Sequence, residues 1–149
     1  MVRERIKLIP TVYLILAKDN RILLLRRYNT GFEDGKYSLI AGHLDHEDET
    51  LRQAMAREAK EEAGIDIDLT DLELVHVMHR KQQTPTSERR INFFFTTKKW
   101  RGEPKIMEPS KCDDLKWFEE DNLPNNTIGY VKQAINSLRN NIMYSEYGW

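Results

Sequence analysis

The stretch Gly42 to Ile65, GHLDHEDETLRQAMAREAKEEAGI, constrains this chain more than any other. Leu51, Ala54, Met55 and Ala59 recur at helical spacing, Thr50 stands where an N-cap belongs, and Gly64 stands where a helix leaves through a left-handed residue. The spacing predicts a helix over Thr50 to Ala63. On it Glu58, Glu61 and Glu62 share one stripe, because residues three and four apart are neighbours on a helix surface. Their repulsion costs roughly a few tenths of a kcal/mol per i,i+4 pair, so the arrangement needs a counter-charge. A hard divalent cation such as Mg²⁺ supplies one, binding through one or two carboxylates together with substrate phosphates.

A strand delivers the chain to this helix. Tyr37 to Ala41 (YSLIA) is short and apolar and leads into Gly42, after a loop over Arg26 to Lys36 rich in Gly, Asn and Asp. Pro10 to Ala17 and Ile22 to Leu25 predict a hairpin turning at Lys18, Asp19 and Asn20. Leu72 to Arg80 and Ile91 to Thr97 read as longer strands joined by the polar loop Lys81 to Arg90, which borders a substrate cleft in this reading. Trp100 to Asp113 is irregular, Leu115 to Phe118 is a short strand, and Ile128 to Leu138 is a second amphipathic helix. The apolar side chains of the closing NIMYSEYGW are expected to pack. A mixed sheet of about six strands with one helix early and one late is an α/β/α or α+β sandwich.

Charge and cysteine usage remove other classes. Lys and Arg total 23 against 24 Asp and Glu, a formal charge of -1, so neither a nucleic-acid polymer nor an anionic membrane is the expected partner. An anionic small molecule has to be held locally. Cys112 is the single cysteine, which excludes an internal disulfide framework and a Cys-rich zinc site and makes it a quiet thiol in a reducing compartment. No apolar run reaches the ~20 residues of a membrane span, and MVRERIKLIP lacks the apolar core of a signal peptide. The expectation is one domain over residues 1–149, cytoplasmic, as a monomer or homodimer.

The helix and its preceding loop resemble the Nudix box: Gly, five residues, Glu, seven residues, then Arg-Glu, an apolar residue, any residue, Glu-Glu, any residue, Gly and an apolar residue. Arg57 to Ile65 fit the second half without a gap, and Glu49 stands eight residues before Arg57. The loop departs from the pattern. Six residues separate Gly42 from Glu49, and Ala41 replaces the first Gly of a frequent Gly-Gly pair, so Asp48 and Glu49 are both open for the middle acidic position. An added residue in an exposed loop is thermodynamically cheap. Outside the box, WRGEPKIME, with Trp100, Gly102, Glu103, Pro104 and Glu108, resembles a segment of MutT-type Nudix enzymes in which a downstream Glu enters the metal site. The wider GEPKIMEPSKCDDLKWF is similar to a group of Nudix nucleotide hydrolases with plant and animal members. The likeness runs from Thr11 to about Pro124.

That resemblance implies a Nudix α/β/α sandwich with a mixed sheet between helices, and Mg²⁺- or Mn²⁺-dependent cleavage of a diphosphate joined to another moiety, usually a nucleoside. By it, Glu58 and Glu62 are metal ligands, Glu61 a ligand directly or through water, the Gly42 carbonyl a further oxygen, and Glu108 a ligand from a distant loop. Arg57 fixes the carboxylates by reaching Glu61 or the middle acid. Glu58 and Glu108 are both candidates for the general base. The chemistry suits the residue types, because a diphosphate repels an attacking hydroxide until cations screen it.

Other residues weigh against plainer roles. Arg26 and Arg27 end a strand facing a Gly-rich loop, where the resemblance to Nudix enzymes implies a phosphate-binding Arg; adjacent strand residues face opposite ways, so at most one serves, Arg27 before Arg26, with a surface role equally open. Phe93, Phe94 and Phe95 are read as core. His43 is a loop residue and His76 and His79 belong to the sheet, since Mg²⁺ prefers oxygen. Trp117 is expected to pack under the second helix or to touch substrate, and Asp113 or Asp114 to read a base edge by accepting its N–H groups. The MutT-like segment favours a nucleoside triphosphate cleaved to the monophosphate and pyrophosphate. ADP-ribose, a nucleotide sugar or a non-nucleotide diphosphate is the alternative substrate, and a binding module without catalysis is the alternative class. No box Glu is missing, which weighs against the module.

Overall fold

The computed structural model describes residues 2–85 and 87–149. The first strand, β1 (Ile9–Ile15), passes into a two-residue strand, β2 (Ala17–Lys18), that pairs with β3 (Arg21–Arg27). The expected hairpin is therefore present only at its tip, where Asp19 and Asn20 both have positive φ, as a two-residue turn of this kind requires. Above the tip the arms part. β1 enters a five-stranded sheet between β5 (Ile40–His43) and β7 (Arg90–Thr96), whereas β3 enters a second sheet between β4 (Tyr37–Ser38) and β8 (Cys112–Glu119). The segment read as one strand from Tyr37 to Ala41 likewise divides at Leu39, β4 on one sheet and β5 on the other.

The five-stranded sheet runs β5, β1, β7, β6 (Glu73–Arg80), β9 (Tyr144–Tyr147). β1 is parallel to β7 and β6 to β9, and the other neighbours are antiparallel. Its central strands carry apolar residues on both faces because both faces are covered. Val12, Leu14 and Phe95 face helix α1 (Leu51–Ala63), which contributes Ala54, Met55, Ala59 and Ala63. Tyr13, Ile15 and Phe94 face helix α2 (Gly129–Arg139), which contributes Tyr130, Val131, Ala134 and Ile135. The fold is the mixed-sheet sandwich between two helices that the pattern of elements implies.

Helix α1 begins and ends as expected. Thr50 accepts a hydrogen bond from the Gln53 N–H, the Gln53 side chain accepts one from the Thr50 N–H, and Gly64 closes the helix at φ 70°. The closing segment forms a strand, but it does not pack as expected: Ile142, Met143, Tyr144 and Trp149 are exposed, while Tyr147 packs against the α2 core. The buried His76 ring meets the Ile142 carbonyl and the Ser145 hydroxyl, each at 2.7 Å, and so ties β9 to β6. Gly129, in the first turn of α2, leaves room for the Tyr147 hydroxyl where a Cβ would sit. Among the described residues, no helix is long and apolar enough to cross a membrane.

Candidate active site

The end of β5, the C-terminal half of α1 and the loop before β8 converge on a cleft of about 620 Å³. Gly42, Arg57, Glu58, Glu61, Glu62 and Glu108 all line it. Gly42 is required by close approach: a Cβ there would overlap the carboxyl group of Glu58. Glu58 and Glu62, one helical turn apart, share a hydrogen bond, and Glu62 also accepts the Ala41 N–H. Burial pushes the Glu58 carboxyl up against the pull of Arg57. Burial, then the Glu58 charge, pushes Glu62 well above the ordinary range, with Glu108 adding to it. These directions describe a carboxylate pair held together out of water, where negative charge is costly until a cation or proton offsets it.

Arg57 organises the rest. Its Nε donates to Glu49 Oε2 at 2.9 Å and its Nη2 to Glu49 Oε1 at 3.0 Å, a two-pronged pairing. Nη1 reaches Glu58 Oε1 at 2.9 Å and Glu61 Oε2 at 3.3 Å, and Nη2 also donates to the His43 carbonyl at 2.8 Å. Glu49 therefore occupies the middle acidic position, its side chain only 8 % exposed, while Asp48 is exposed. The extra loop residue is absorbed locally, with the Asp45 N–H donating to Glu49 Oε1.

The Arg57 fork holds the Glu49 carboxyl down at about 2. A carboxyl whose folded value lies below its unfolded one stabilises the fold above the unfolded value, and that stability is lost as pH falls through the folded one. Glu49→Gln should therefore flatten the fall of stability between about pH 4.5 and pH 2, measured by urea unfolding across that range. An unchanged slope would mean that the pair contributes nothing there.

The donor set fits a hard divalent cation in chemistry and partly in geometry. Among the described residues no three acidic, His or Cys side chains converge on one point. Glu58 and Glu62 converge on each other, while Glu61 is turned toward Arg57 with its side chain 49 % exposed. Glu108 lies at the cleft with its carboxylate 3.7 Å from Lys111 Nζ.

The NUDIX domain profile matches residues 7–137. The chain belongs to the Nudix family. Among solved structures, a MutT NUDIX hydrolase from Burkholderia pseudomallei superposes with a TM-score of 0.79 at 26% identity, covering 87% of this chain and 97% of that one. The NUDIX domain of Shewanella oneidensis NrtR, in complex with ADP ribose, superposes with a TM-score of 0.72 over 92% of this chain and 90% of that one, and at 21% identity shows the fold alone. Among curated proteins, the chain is 31% identical over 118 residues to the NAD-capped RNA hydrolase NudC of Vibrio vulnificus, covering 79% of this chain and 41% of that protein. The corresponding figures for Stutzerimonas stutzeri NudC are 28% identity, 79% and 39%. The chain thus spans about two-fifths of the length of these curated relatives.

Within this Nudix domain the structure sorts the remaining residues. Arg27 lines the cleft, donating to the Phe32 carbonyl at 2.6 Å and the Thr30 hydroxyl at 2.9 Å. Arg26, on the opposite face of β3, instead pairs with Asp113 at 2.7 Å. Asp113, expected at a base edge, is thereby drawn off the cleft, and Asp114 is engaged by the Tyr37 hydroxyl and Lys116. Trp117 does not pack under α2. It stacks on Trp100 at 6.2 Å in the α1 core, because alternation along β8 puts Phe118 on the α2 side. Phe94 and Phe95 are buried in the two cores and Phe93 packs on the α1 side. Cys112 is buried against the Asp114 carbonyl, and burial pushes its thiol up.

Sequence reasoning missed Arg80, Arg90, Tyr13, Tyr130 and Phe32, all of which line the cleft. The first two stand at strand ends, where a charged residue reads as solvated. Their one signal is register: Arg80 and Arg90 are direct cross-strand partners, an unfavourable pairing of like charges. From the loop expected to border the cleft, Lys81, Gln83, Ser87 and Glu88 line an adjoining cavity of about 330 Å³, while Thr86 lies outside the described residues.

Proposed function

We propose that this chain hydrolyses the diphosphate linkage of a nucleoside diphosphate derivative with Mg²⁺ or Mn²⁺ as cofactor. The observation that carries the reading is the partly buried Glu58–Glu62 pair set against Gly42 inside a cleft large enough for a nucleotide. Glu58 and Glu62, with Glu61 turned inward and the Gly42 carbonyl, would hold the cation, and Glu108 would complete the set from the loop before β8. A divalent cation bound there screens the phosphate charge and lowers the pKa of attacking water. Arg57 holds Glu49, Glu58 and Glu61 in place and leaves the substrate to other groups. Glu58 and Glu108, both lining the cleft, are the candidates to take a proton from water, and Arg27, on the same cleft, would donate to phosphate.

Two substrates follow from different observations. The MutT-like WRGEP segment favours a nucleoside triphosphate, cleaved to a monophosphate and pyrophosphate. The name of the curated relatives favours a diphosphate joining two nucleosides, as in NAD or an NAD-capped RNA. A panel of nucleoside triphosphates, ADP-ribose, NAD and capped RNA, incubated with Mg²⁺ in ¹⁸O-labelled water, separates them. The expected result is Mg²⁺-dependent turnover of at least one class with label in a single phosphate product. No turnover anywhere on the panel would overturn the hydrolase reading for this chain.

A further inference from the structure

Arg80 is 6 % exposed and lines the cleft, yet its Nη1 has no hydrogen-bond partner and its guanidinium no carboxylate partner among the described residues. The group is held flat, 4.0 Å from the centroid of the Tyr130 ring and 6.0 Å from that of Phe32. The Tyr130 hydroxyl is fixed in turn by the Tyr13 hydroxyl at 3.2 Å. Aromatic faces offset part of the cost of burying a cation. They leave the N–H edge without an acceptor, and a guanidinium cannot neutralise itself as a buried lysine can.

The neighbourhood adds positive charge. Arg90, directly across from Arg80 in the ladder, donates to the Thr11 hydroxyl at 3.1 Å and to the His43 ring, and pairs with Glu88 at 3.2 Å. Glu88 is mostly exposed, so two guanidiniums face one solvated carboxylate. A buried donor without a partner is costly, so Arg80 Nη1, unpaired on the cleft wall, marks a place built for an absent acceptor.

Position decides which part of a ligand belongs there. Gly42 lies on β5 and Arg80 on β6, three strands apart in the order β5, β1, β7, β6, which is roughly 14 Å across the sheet. Arg80 therefore faces a part of the ligand beyond the anhydride gripped by Glu58 and Glu62. We propose that Arg80 and Arg90 form a second anion subsite, which holds a phosphate group carried by the substrate outside the cleaved diphosphate. The inference rests on the reading of this cleft as a diphosphate hydrolase site and narrows its substrate class to diphosphates with an additional phosphate. A planar guanidinium edge suits phosphate because it offers paired N–H donors to two oxygens at once.

Two measurements test it. Inorganic phosphate is titrated into the metal-free wild-type protein while the Nε–Hε signal of Arg80 is followed by NMR, which needs no variant to fold. A saturable shift is expected, and Arg80→Lys should weaken phosphate binding about 10- to 100-fold. No shift in the wild type, or equal binding by Arg80→Lys, overturns the subsite. With Mg²⁺, kcat/KM is then compared for ADP-ribose and for ADP-ribose bearing a 2′-phosphate. The phosphorylated form should be favoured about 10- to 100-fold, with the ratio falling toward one in Arg80→Lys. Phosphate binding without substrate preference overturns the assignment of that phosphate to the substrate and leaves the hydrolase reading standing. Lack of turnover on the whole panel sinks the hydrolase reading instead, and the phosphate titration still decides the subsite.

Discussion

Glu62→Gln should lower Mg²⁺-dependent turnover about 10³-fold while leaving the fold intact. The side chain is partly buried between Glu58, the Ala41 N–H and the approach of Glu108. Glutamine keeps its shape and the acceptor oxygen for Ala41, so the packing of α1 on β5 is preserved. What it loses is the charge that a cation needs. Removing one of two like charges from a partly buried pair relieves repulsion, so the variant should be as stable as the wild type or more so. That pairing of outcomes is diagnostic, because a residue kept only for structure loses stability when changed. Steady-state kinetics on the best substrate, together with thermal unfolding, checks both halves. Full turnover by a folded Glu62→Gln would remove this residue from the cation site.

Gly42→Ala tests the same site from its backbone side. The added methyl would occupy the space of the Glu58 carboxyl group, and the flexible side chain has to yield because the strand pairing of Gly42 with Val12 does not. Overpacking of this kind costs about 1–3 kcal/mol of stability. On the proposed reading of Glu58 as a cation ligand, displacing its carboxylate by about 1 Å can cost 10²-fold in rate, so the loss of activity should far exceed the loss of stability. Gly42→Ala with normal kcat and normal stability would show that Glu58 has no fixed place against the strand.

The box helix was legible because its determinants are local. Thr50, Gln53 and Gly64 cap it through hydrogen bonds within four or five residues, and Glu58 and Glu62 meet through helical spacing alone. The position of Glu49 was open only because counting residues in a loop does not fix which side chain turns inward. Arg57 decides it. The division of one predicted strand into β4 and β5, and of the hairpin into two sheets, was not legible, since a period of two identifies faces without identifying partners. Asp113 and Trp117 were misplaced for a related reason. Alternation along β8 sends neighbours to opposite faces, and nothing local says which face meets the cleft. Arg80 and Arg90 become informative only once the β6–β7 register sets them side by side.

The most direct test of the carboxylate cluster as a cation site is Mn²⁺ binding followed by electron paramagnetic resonance, without substrate, in the wild type and in the Glu58→Gln, Glu62→Gln double variant. Saturable binding by the wild type, weakened at least about 10- to 100-fold in the double variant, is the expected result. Equal Mn²⁺ affinity in the two folded proteins would contradict the central claim that Glu58 and Glu62 hold the cation.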